Sequence, residues 1–269
     1  MSKDSGVTIK QPMTGKKSLY ESGLTLIHPF YGEAKRFKLL YGNWMEYSVE
    51  IKDKLNIVVV DDCGTPAMHD LMTSAYVKHC DFNFDIFRIT KNLRYNTPGA
   101  LNLGILASKT EYILIMDSDC TFNPEEMHKI MEIKPEDDWT YRFPRNRITN
   151  NAHWKTNDRY LPCTMLFNKD EYLHINGFDE DFTGEYSKGY AFFDNHFDRK
   201  LVDRGLHIGI IPWITATEYM DDFVGERISR TKNEEAVNRK LMYDKVNKTV
   251  PESKHVLRFP WERTFHHRR

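Results

Sequence analysis

The chain has 269 residues, a formal net charge of −1 at pH 7 and a hydrophobic fraction of 40%. This length suffices for one large α/β domain or two small ones. Because the net charge is close to zero, no overall field recruits an anionic membrane, and nucleic acid is not expected as a partner. The apolar runs are shorter than the roughly 18 residues of a membrane-spanning helix, so we expect no transmembrane segment. A cytoplasmic location follows, and a peripheral location at a membrane stays open.

Apolar strands alternate with helical patterns in the first half of the chain. Residues 1–22 carry no periodic pattern and predict a flexible lead-in. Beyond them, the pattern predicts strands at 24–32, 55–62, 84–89 and 111–116, with helices at 37–49, 66–72 and 96–107. Repeated strand–helix–strand units imply a parallel sheet and a nucleotide-binding type of α/β domain. The sequence contains neither a GxGxxG turn nor a P-loop, so a dinucleotide cofactor and P-loop chemistry are poorly supported.

One predicted strand ends in two acids. The apolar run 111–116 is followed by Asp117, Ser118 and Asp119, and then by a turn before Pro124. In α/β proteins ligands bind beyond the carboxyl ends of the strands, and the two-residue period of a strand lets Asp117 and Asp119 face the same side. Because two converging carboxylates repel each other, the pattern predicts a hard divalent cation between them, Mg²⁺ or Mn²⁺, that itself holds phosphate oxygens.

The second half has a looser pattern. Residues 139–160 are polar, aromatic and basic and predict a long loop or an edge hairpin; the aromatic faces suit sugar rings, although a plain surface hairpin fits as well. The basic end, residues 263–269, is interpreted as a solvated tail. The remaining pattern predicts strands at 161–168 and 207–217 and helices at 125–131, 169–175, 193–201 and 234–246.

Six short segments, in this order and spacing, resemble the GT-A fold glycosyltransferases of the large inverting family 2. They are Pro29-Phe30-Tyr31, Val59-Val60-Asp61-Asp62, residues 99–105, Asp117-Ser118-Asp119, residues 176–180 and the helix around Asp194. The resemblance covers residues 24–218. It implies an α/β protein with a Rossmann-like, mostly parallel central sheet flanked by helices, with a smaller acceptor-side region. Residues 23–122 would form the nucleotide-sugar-binding half and 123–222 the acceptor-binding and catalytic half, followed by a C-terminal helical extension and tail at 223–269.

The resemblance also implies an activity and a donor site. The expected reaction is metal-dependent transfer of a sugar from a nucleoside diphosphate sugar, with UDP favoured and GDP or TDP open, to a hydroxyl of a glycan or other acceptor. A metal fixed at the diphosphate would stabilise the charge that builds on the leaving group. The site residues implied are Pro29 and Tyr31 beside the nucleotide, Asp61 or Asp62 on the base, Asn102 in the donor-binding set, Asp117 near the ribose or metal, and Asp119 as the main Mn²⁺ or Mg²⁺ ligand.

The catalytic base and the third metal ligand depart from the family pattern. Asp194 is the candidate general base that takes the acceptor proton during inversion, and an ordinary helix cap is the alternative role. Phe193 and His196 stand where the family usually has acids. Glu218 stands where many relatives have a histidine metal ligand, and a glutamate oxygen could bind the same cations. Asp221 and Asp222 are nearby substitutes.

Two other function classes fit parts of the sequence. Residues 115–121 match the DxDx(T/V) pattern of haloacid-dehalogenase-like phosphohydrolases, in which Asp117 would be the nucleophile, although that motif normally lies on the first strand. A carbohydrate-binding protein on a GT-A scaffold without catalysis is the third possibility, favoured by Phe193 and Glu218.

Overall fold

The computed structural model describes residues 7–9, 14–32, 34–72, 74–149, 152–219, 232–253 and 256–269. Within these ranges the strands are β1 (Val7–Ile9), β2 (Leu24–Phe30), β3 (Leu55–Asp61), β4 (Asn83–Ile89), β5 (Tyr112–Ile115), β6 (Cys120–Thr121), β7 (Trp139–Thr149), β8 (Ala152–Asn168), β9 (His207–Ile210), β10 (Ala216–Tyr219) and β11 (Trp261–His267). The helices are α1 (Leu19–Ser22), α2 (Ala34–Met45), α3 (Val49–Lys54), α4 (Met68–Leu71), α5 (Ser74–His79), α6 (Thr97–Ala107), α7 (Pro124–Glu132), α8 (Lys169–His174), α9 (Gly184–Ser187), α10 (Phe193–Asp203) and α11 (Lys232–Val246), with a 3₁₀ turn at Glu180–Phe182.

A mixed sheet runs through the molecule in the order β1-β9-β7-β8-β5-β2-β3-β4-β11, and β10 joins β7 to β6. Strands β5, β2, β3 and β4 are parallel neighbours, whereas β8 runs antiparallel to both β5 and β7. The predicted α/β class, with a mostly parallel centre flanked by helices, is therefore confirmed.

Both faces of the central strands are buried. Along β2, Leu26 joins one apolar core with Phe37 and Trp44 of α2, while Ile27 joins another with Leu101 of α6. Such double burial explains why these strands read as continuous apolar runs. His28 lies in the first core, 5.4 Å from the ring of Trp44 between centroids, and burial lowers its pKa to about 3. It is thus a core histidine.

The hairpin predicted at the edge of the sheet is instead in its interior. Strand β8 pairs with β5, and β7 pairs with both β9 and β10. Tyr141 and Phe143, two residues apart on β7, are fully buried, which anchors the hairpin in the core. The side chains of residues 152–163 lie outside the described part, and so does the expectation that their aromatic rings bind sugar.

The two ends of the chain contain regular structure that the local pattern did not predict. In the segment predicted to be a flexible lead-in, β1 pairs in parallel with β9 and α1 buries Leu19. The basic end is not a solvated tail, because β11 pairs antiparallel with β4 and His266 and Arg268 contact the Asp85 carboxylate at 2.6 and 2.7 Å. The single strand predicted at 207–217 is interrupted after β9, around Pro212. In the described ranges, no helix combines the length and the apolar character needed to cross a membrane.

Candidate functional site

The carboxyl ends of β2, β3 and β5 meet at one edge of the sheet. Phe30 is in register with Asp61 and Ile27 with Ile115, and the backbone N–H of Asp62 donates to the carbonyl of Phe30 at 2.8 Å. The chain proceeds from β2 through β3 to β4 and then crosses to β5 on the other side of β2. This reversal of strand order creates the crevice in which open α/β sheets bind ligands. The segments predicted to bind the donor, around residues 29–31, 61–62 and 117–119, are therefore brought together.

Asp61 has a structural role. Its carboxylate is fully buried and accepts hydrogen bonds from the backbone N–H groups of Gly64 at 2.7 Å and Met68 at 2.9 Å, and it pairs with the guanidinium of Arg88. Both oxygens are occupied by groups of the protein. Asp61 therefore fixes the loop after β3 and the start of α4.

Asp62 is the acid of this pair that suits base recognition. Successive side chains of a strand face opposite ways, so Asp62 does not share the environment of Asp61. Its carboxylate accepts hydrogen bonds from Asn96, from the side-chain amide at 3.2 Å and from the backbone N–H. Its pKa is raised to about 7: burial is the largest cause, the hydrogen bonds from Asn96 oppose the shift, and the charge of Asp61 adds to it. The sequence left Asp61 and Asp62 open as the acid that binds the nucleotide base, and the structure favours Asp62 for this role.

The segment after β2 borders the same crevice. The Tyr31 ring is 40% exposed, and the Asn92 amide donates to its hydroxyl at 3.2 Å. Pro29 is half-buried. It pairs with Val60 of β3, one position before the Phe30–Asp61 pair. Gly32 has a φ of +67°, and a Cβ on Gly64 would lie 2.2 Å from the Gly32 nitrogen. This close backbone approach joins the loops that follow β2 and β3.

The DxD segment follows β5 as predicted, with all three residues half-buried. A turn closes it, in which the N–H of Cys120 donates to the carbonyl of Asp117 at 3.0 Å. The Cys120 thiol donates to Asp119 Oδ1 at 3.2 Å, and Arg36 of α2 approaches the Ser118 hydroxyl at 3.5 Å. The two carboxylates thus stand at the open end of the strand with a guanidinium group beside them.

Glu218, the predicted third metal ligand, is engaged by two arginines. Register on β10 places it opposite both Cys120 of β6 and Arg147 of β7. Its Oε2 lies 2.7 Å from Arg147 Nε and 3.2 Å from Arg145 Nη1. Among the described residues no three His, Cys, Asp or Glu side chains are grouped closely enough to hold a metal ion, so the predicted three-ligand set is not assembled. Asp221 and Asp222 lie outside the described residues.

The predicted ligands are nevertheless neighbours. The Cys120 thiol is fully buried, and its pKa is raised well above the ordinary value, first by burial and then by the charges of Asp119, Asp117 and Glu218. One buried thiol therefore lies close to all three acids. Hard carboxylate oxygens suit Mg²⁺ and Mn²⁺, so Asp117 and Asp119 fit such an ion chemically, while Glu218 is held by its arginines.

Asn102 is hydrogen-bonded to other groups of the protein. It is fully buried, and its amide nitrogen donates to the Phe178 carbonyl and to Glu180 Oε1, both at 2.9 Å. Its oxygen accepts from the Phe178 N–H at 3.0 Å and from the Tyr172 hydroxyl. The donor-binding role stays a prediction for Asn102, and in this structure both polar atoms of its amide hold the turn around Gly177 against α6.

Asp194 lies half-buried in the first turn of α10. The N-cap residue of this helix is Phe192, so Asp194 is not the cap that the sequence left as an alternative. Ala191 and Phe192 both have left-handed backbone conformations, with φ of 65° and 66°. Asn238 of α11 holds this turn by donating to the Ala191 carbonyl at 2.9 Å. Strained backbone persists where surrounding structure enforces it, and here the C-terminal helix fixes the position of Asp194.

A buried ion pair beneath Asp194 was not found from the sequence. Arg142 of β7 is fully buried and pairs with Asp198, which follows Asp194 by one helical turn. Burial raises the pKa of Asp198, the charge of Arg142 opposes this, and the charge of Asp194 adds to it. Four-residue spacing in α10 was a usable signal for Asp198, but nothing local pointed to Arg142. His196 instead lies in the core, 5.1 Å from Phe182 between ring centroids.

Solved structures show the same fold at low sequence identity. Staphylococcus aureus TarS 1-349 in complex with UDP-GlcNAc superposes with a TM-score of 0.62 at 16% identity, over 83% of this chain and 67% of that one. A mannosyltransferase from Pyrobaculum calidifontis, in complex with GDP-Man and Mn²⁺, gives 0.59 at 18% identity over 81% and 62%. GalNAc-T7 with UDP, GalNAc and Mn²⁺ gives 0.57 at 9% identity over 74% and 44%.

The match to a sequence family is more extensive than these identities suggest. No curated protein matches the chain. The family model described as glycosyl transferase family 2 matches residues 25–207, more than half of the sequence. This region contains β2 to β5, the DxD segment and α10, so it includes most of the crevice described above. The chain therefore belongs to glycosyl transferase family 2 and has the GT-A fold of its structural neighbours.

Proposed function

We propose that this protein is a glycosyltransferase that moves a sugar from a nucleoside diphosphate sugar to a hydroxyl acceptor with inversion. The observation that supports this most is the convergence, at one switch point of the sheet, of a buried acid suited to a base and a DxD pair suited to a diphosphate. Membership of family 2 favours this reaction over phosphohydrolysis with Asp117 as nucleophile. Since the solved neighbours are longer than the matched region, the activity of the whole protein is part of this proposal.

The donor would extend from Asp62 to the DxD pair. Asp62 accepts a hydrogen bond from an N–H of the base, and the exposed Tyr31 ring covers the base or ribose. The pocket suits uracil or guanine, since both present an N–H donor on their pairing edge. We favour UDP, which is bound in the TarS and GalNAc-T7 complexes, and GDP is the nucleotide of the mannosyltransferase complex.

Asp117 and Asp119 would hold a divalent ion, Mn²⁺ or Mg²⁺, through hard carboxylate oxygens. When bound, that ion supplies positive charge against the diphosphate that leaves. The chain's own contribution at the reacting centre is Asp194, which takes the proton of the acceptor hydroxyl as it attacks the anomeric carbon from the side opposite the diphosphate. Its place in the first turn of α10 favours the ionised form that a base needs, because the N-terminal end of a helix carries partial positive charge.

The test of this function is calorimetric titration of the protein with UDP, GDP and TDP, each with and without Mn²⁺. We expect one nucleotide to bind, more tightly with Mn²⁺, and the Asp119→Ala variant to lose the metal-dependent part. Asp203→Ala, at an exposed position of α10, is the matched control and should bind as the wild type does. Absence of nucleotide binding under every condition would contradict the proposal, and nucleotide-free glycan binding without turnover would support the binding-protein alternative.

Binding of the nucleotide should depend on pH through Asp62. A base N–H needs the carboxylate as its acceptor, and the pKa of Asp62 is about 7 in the free protein. The protonated acid is thus the main form at lower pH, and affinity should rise by about tenfold from about pH 6 to about pH 8, then level off. Asp62→Asn should bind the nucleotide more weakly and lack this rise in affinity. Because the nucleotide phosphate titrates equally with both proteins, comparing the two pH profiles corrects for it. Identical pH profiles for the two proteins would show that Asp62 does not contact the base.

A further inference from the structure

Two arginines of β7 lie near the DxD segment and have no role in the function proposed above. We call this region, formed by residues 117–120, Glu218 and the two arginines, the DxD corner. Arg145 and Arg147 are two positions apart on one strand and therefore lie on the same face of the sheet. Both approach one carboxylate oxygen of Glu218, at 3.2 and 2.7 Å. Glu218 is itself in register with Cys120, the residue after Asp119. The pairing of β6, β10 and β7 thus fixes both guanidinium groups beside the DxD segment.

The acidic residues at the DxD corner would repel the phosphates of a donor unless positive groups lie nearby. Cys120 adjoins all three acidic residues: its thiol donates to Asp119 at 3.2 Å, its N–H donates to the Asp117 carbonyl at 3.0 Å, and Glu218 is its register partner. A nucleoside diphosphate adds at least two further negative charges. Unless positive groups face the phosphates, this addition is strongly unfavourable at the partly buried edge of a sheet. The guanidinium groups of residues 145 and 147 are positive groups already in place there.

We propose that Arg145 and Arg147 bind the diphosphate of the nucleotide-sugar donor and that Glu218 occupies them only while the donor is absent. This inference rests on the proposed function, since it assigns ligands to the donor of that reaction. The planar guanidinium fork binds phosphate oxygens in the same geometry as carboxylate oxygens. The Arg147 side chain is 32% exposed and that of Arg145 is 14% exposed, so neither is fully enclosed by the protein. Glu218 is 9% exposed and serves as the internal partner.

In the proposed exchange, donor phosphate oxygens replace the Glu218 carboxylate as the anionic partner of the two arginines. In the free protein the Glu218 carboxylate is an anionic partner of both arginines. When phosphate oxygens replace it, the arginines keep an anionic partner and the donor gains two charge-assisted contacts. Glu218 therefore competes with the donor, and removing its charge should strengthen nucleotide binding in the absence of metal.

The experiment compares UDP with uridine, which lacks phosphates, by ligand-observed NMR titration in EDTA. We expect Arg147→Met to raise the Kd for UDP by about tenfold or more, Arg145→Met to raise it in the same direction, and neither to change the Kd for uridine. Glu218→Gln should lower the Kd for UDP. Arg199→Met is the matched control, because Arg199 is an exposed arginine of α10 paired with Asp203, and it should leave both constants unchanged.

The outcomes separate this inference from the function on which it rests. An unchanged Kd for UDP in both arginine variants overturns the inference while the proposed function stands. Equal weakening of UDP and uridine also overturns it, since it shows a general distortion of the site. If the wild type binds neither ligand, with or without Mn²⁺, the donor site itself is wrong and both proposals fail. Arg147→Lys keeps the positive charge but not the planar guanidinium group, so its UDP affinity should be intermediate. This variant serves as the test if Arg147→Met does not fold.

Discussion

Replacing Asp61 with alanine is expected to lower the free energy of unfolding by about 3–5 kcal/mol. The Asp61 carboxylate is fully buried and has three donors: the N–H groups of Gly64 and Met68 and the guanidinium of Arg88. Truncation leaves the Arg88 side chain, only 18% exposed, without its anion and leaves two backbone donors without an acceptor. Each of these groups then bears a desolvation cost that nothing offsets. Since a domain is stable by only about 5–15 kcal/mol, this variant should approach the limit of folding.

The measurement is urea unfolding followed by far-UV circular dichroism. Asp203→Ala is the control, because it removes an aspartate from an exposed pair with Arg199 at 2.9 Å and should cost no more than about 1 kcal/mol. Asp61→Asn keeps one acceptor oxygen and should fall between the wild type and the alanine variant. The double variant Asp61→Ala/Arg88→Met should cost less than the sum of the two single changes, because it removes both charges. A cost for Asp61→Ala as small as that of the control would show that these contacts do not stabilise the fold.

The sequence alone predicted an acid at the end of β3 that binds the nucleotide base, but it could not distinguish Asp61 from Asp62. Both acids end an apolar strand, and a local pattern cannot tell which side of the sheet each carboxylate faces. The structure separates them by their partners: Arg88 and two backbone donors for Asp61, and the side chain and backbone of Asn96 for Asp62. Arg88 comes from the neighbouring strand β4 and Asn96 from the start of α6, so neither partner is visible in the segment itself.

The central strands were predictable because burial on both faces gives a continuous apolar run, and the DxD segment was predictable because it follows one of these runs. The interior position of the hairpin 139–168, the pairing of β11 with β4 and the pairing of Glu218 with Arg147 all depend on contacts between distant parts of the chain. The partners of Asn102 are equally distant in sequence. The resemblance implied a donor contact for this amide, and its hydrogen-bond partners in the structure are Tyr172, Phe178 and Glu180, which lie about 70 residues or more further along the chain.

Asp194→Asn is expected to give the largest loss of activity, a reduction in turnover of about 10²–10⁴-fold. The amide retains the size and polarity of the side chain but cannot accept the proton of the acceptor hydroxyl. Because the proposed donor site lies at the ends of β2, β3 and β5 while Asp194 lies on α10, the affinity for the nucleotide should stay at the wild-type value. A loss confined to turnover is the signature of a group that acts in the chemical step rather than in donor binding.

The assay is release of the nucleoside diphosphate from the donor, with acceptor hydroxyls screened first on the wild type and the variants then compared on the best acceptor. Asp203→Asn, on the same helix but exposed, is the control and should keep wild-type turnover. Asp198→Asn gives a second readout, since the charges of Asp198 and Asp194 act on each other. Removing the charge at 198 should lower the pKa of the base and move the acidic limb of the rate profile to lower pH, because a neighbouring anion no longer disfavours ionisation. Wild-type turnover in Asp194→Asn would instead assign the proton to another group, and Asp198, held by the buried Arg142 one helical turn away, would be the next carboxylate to test.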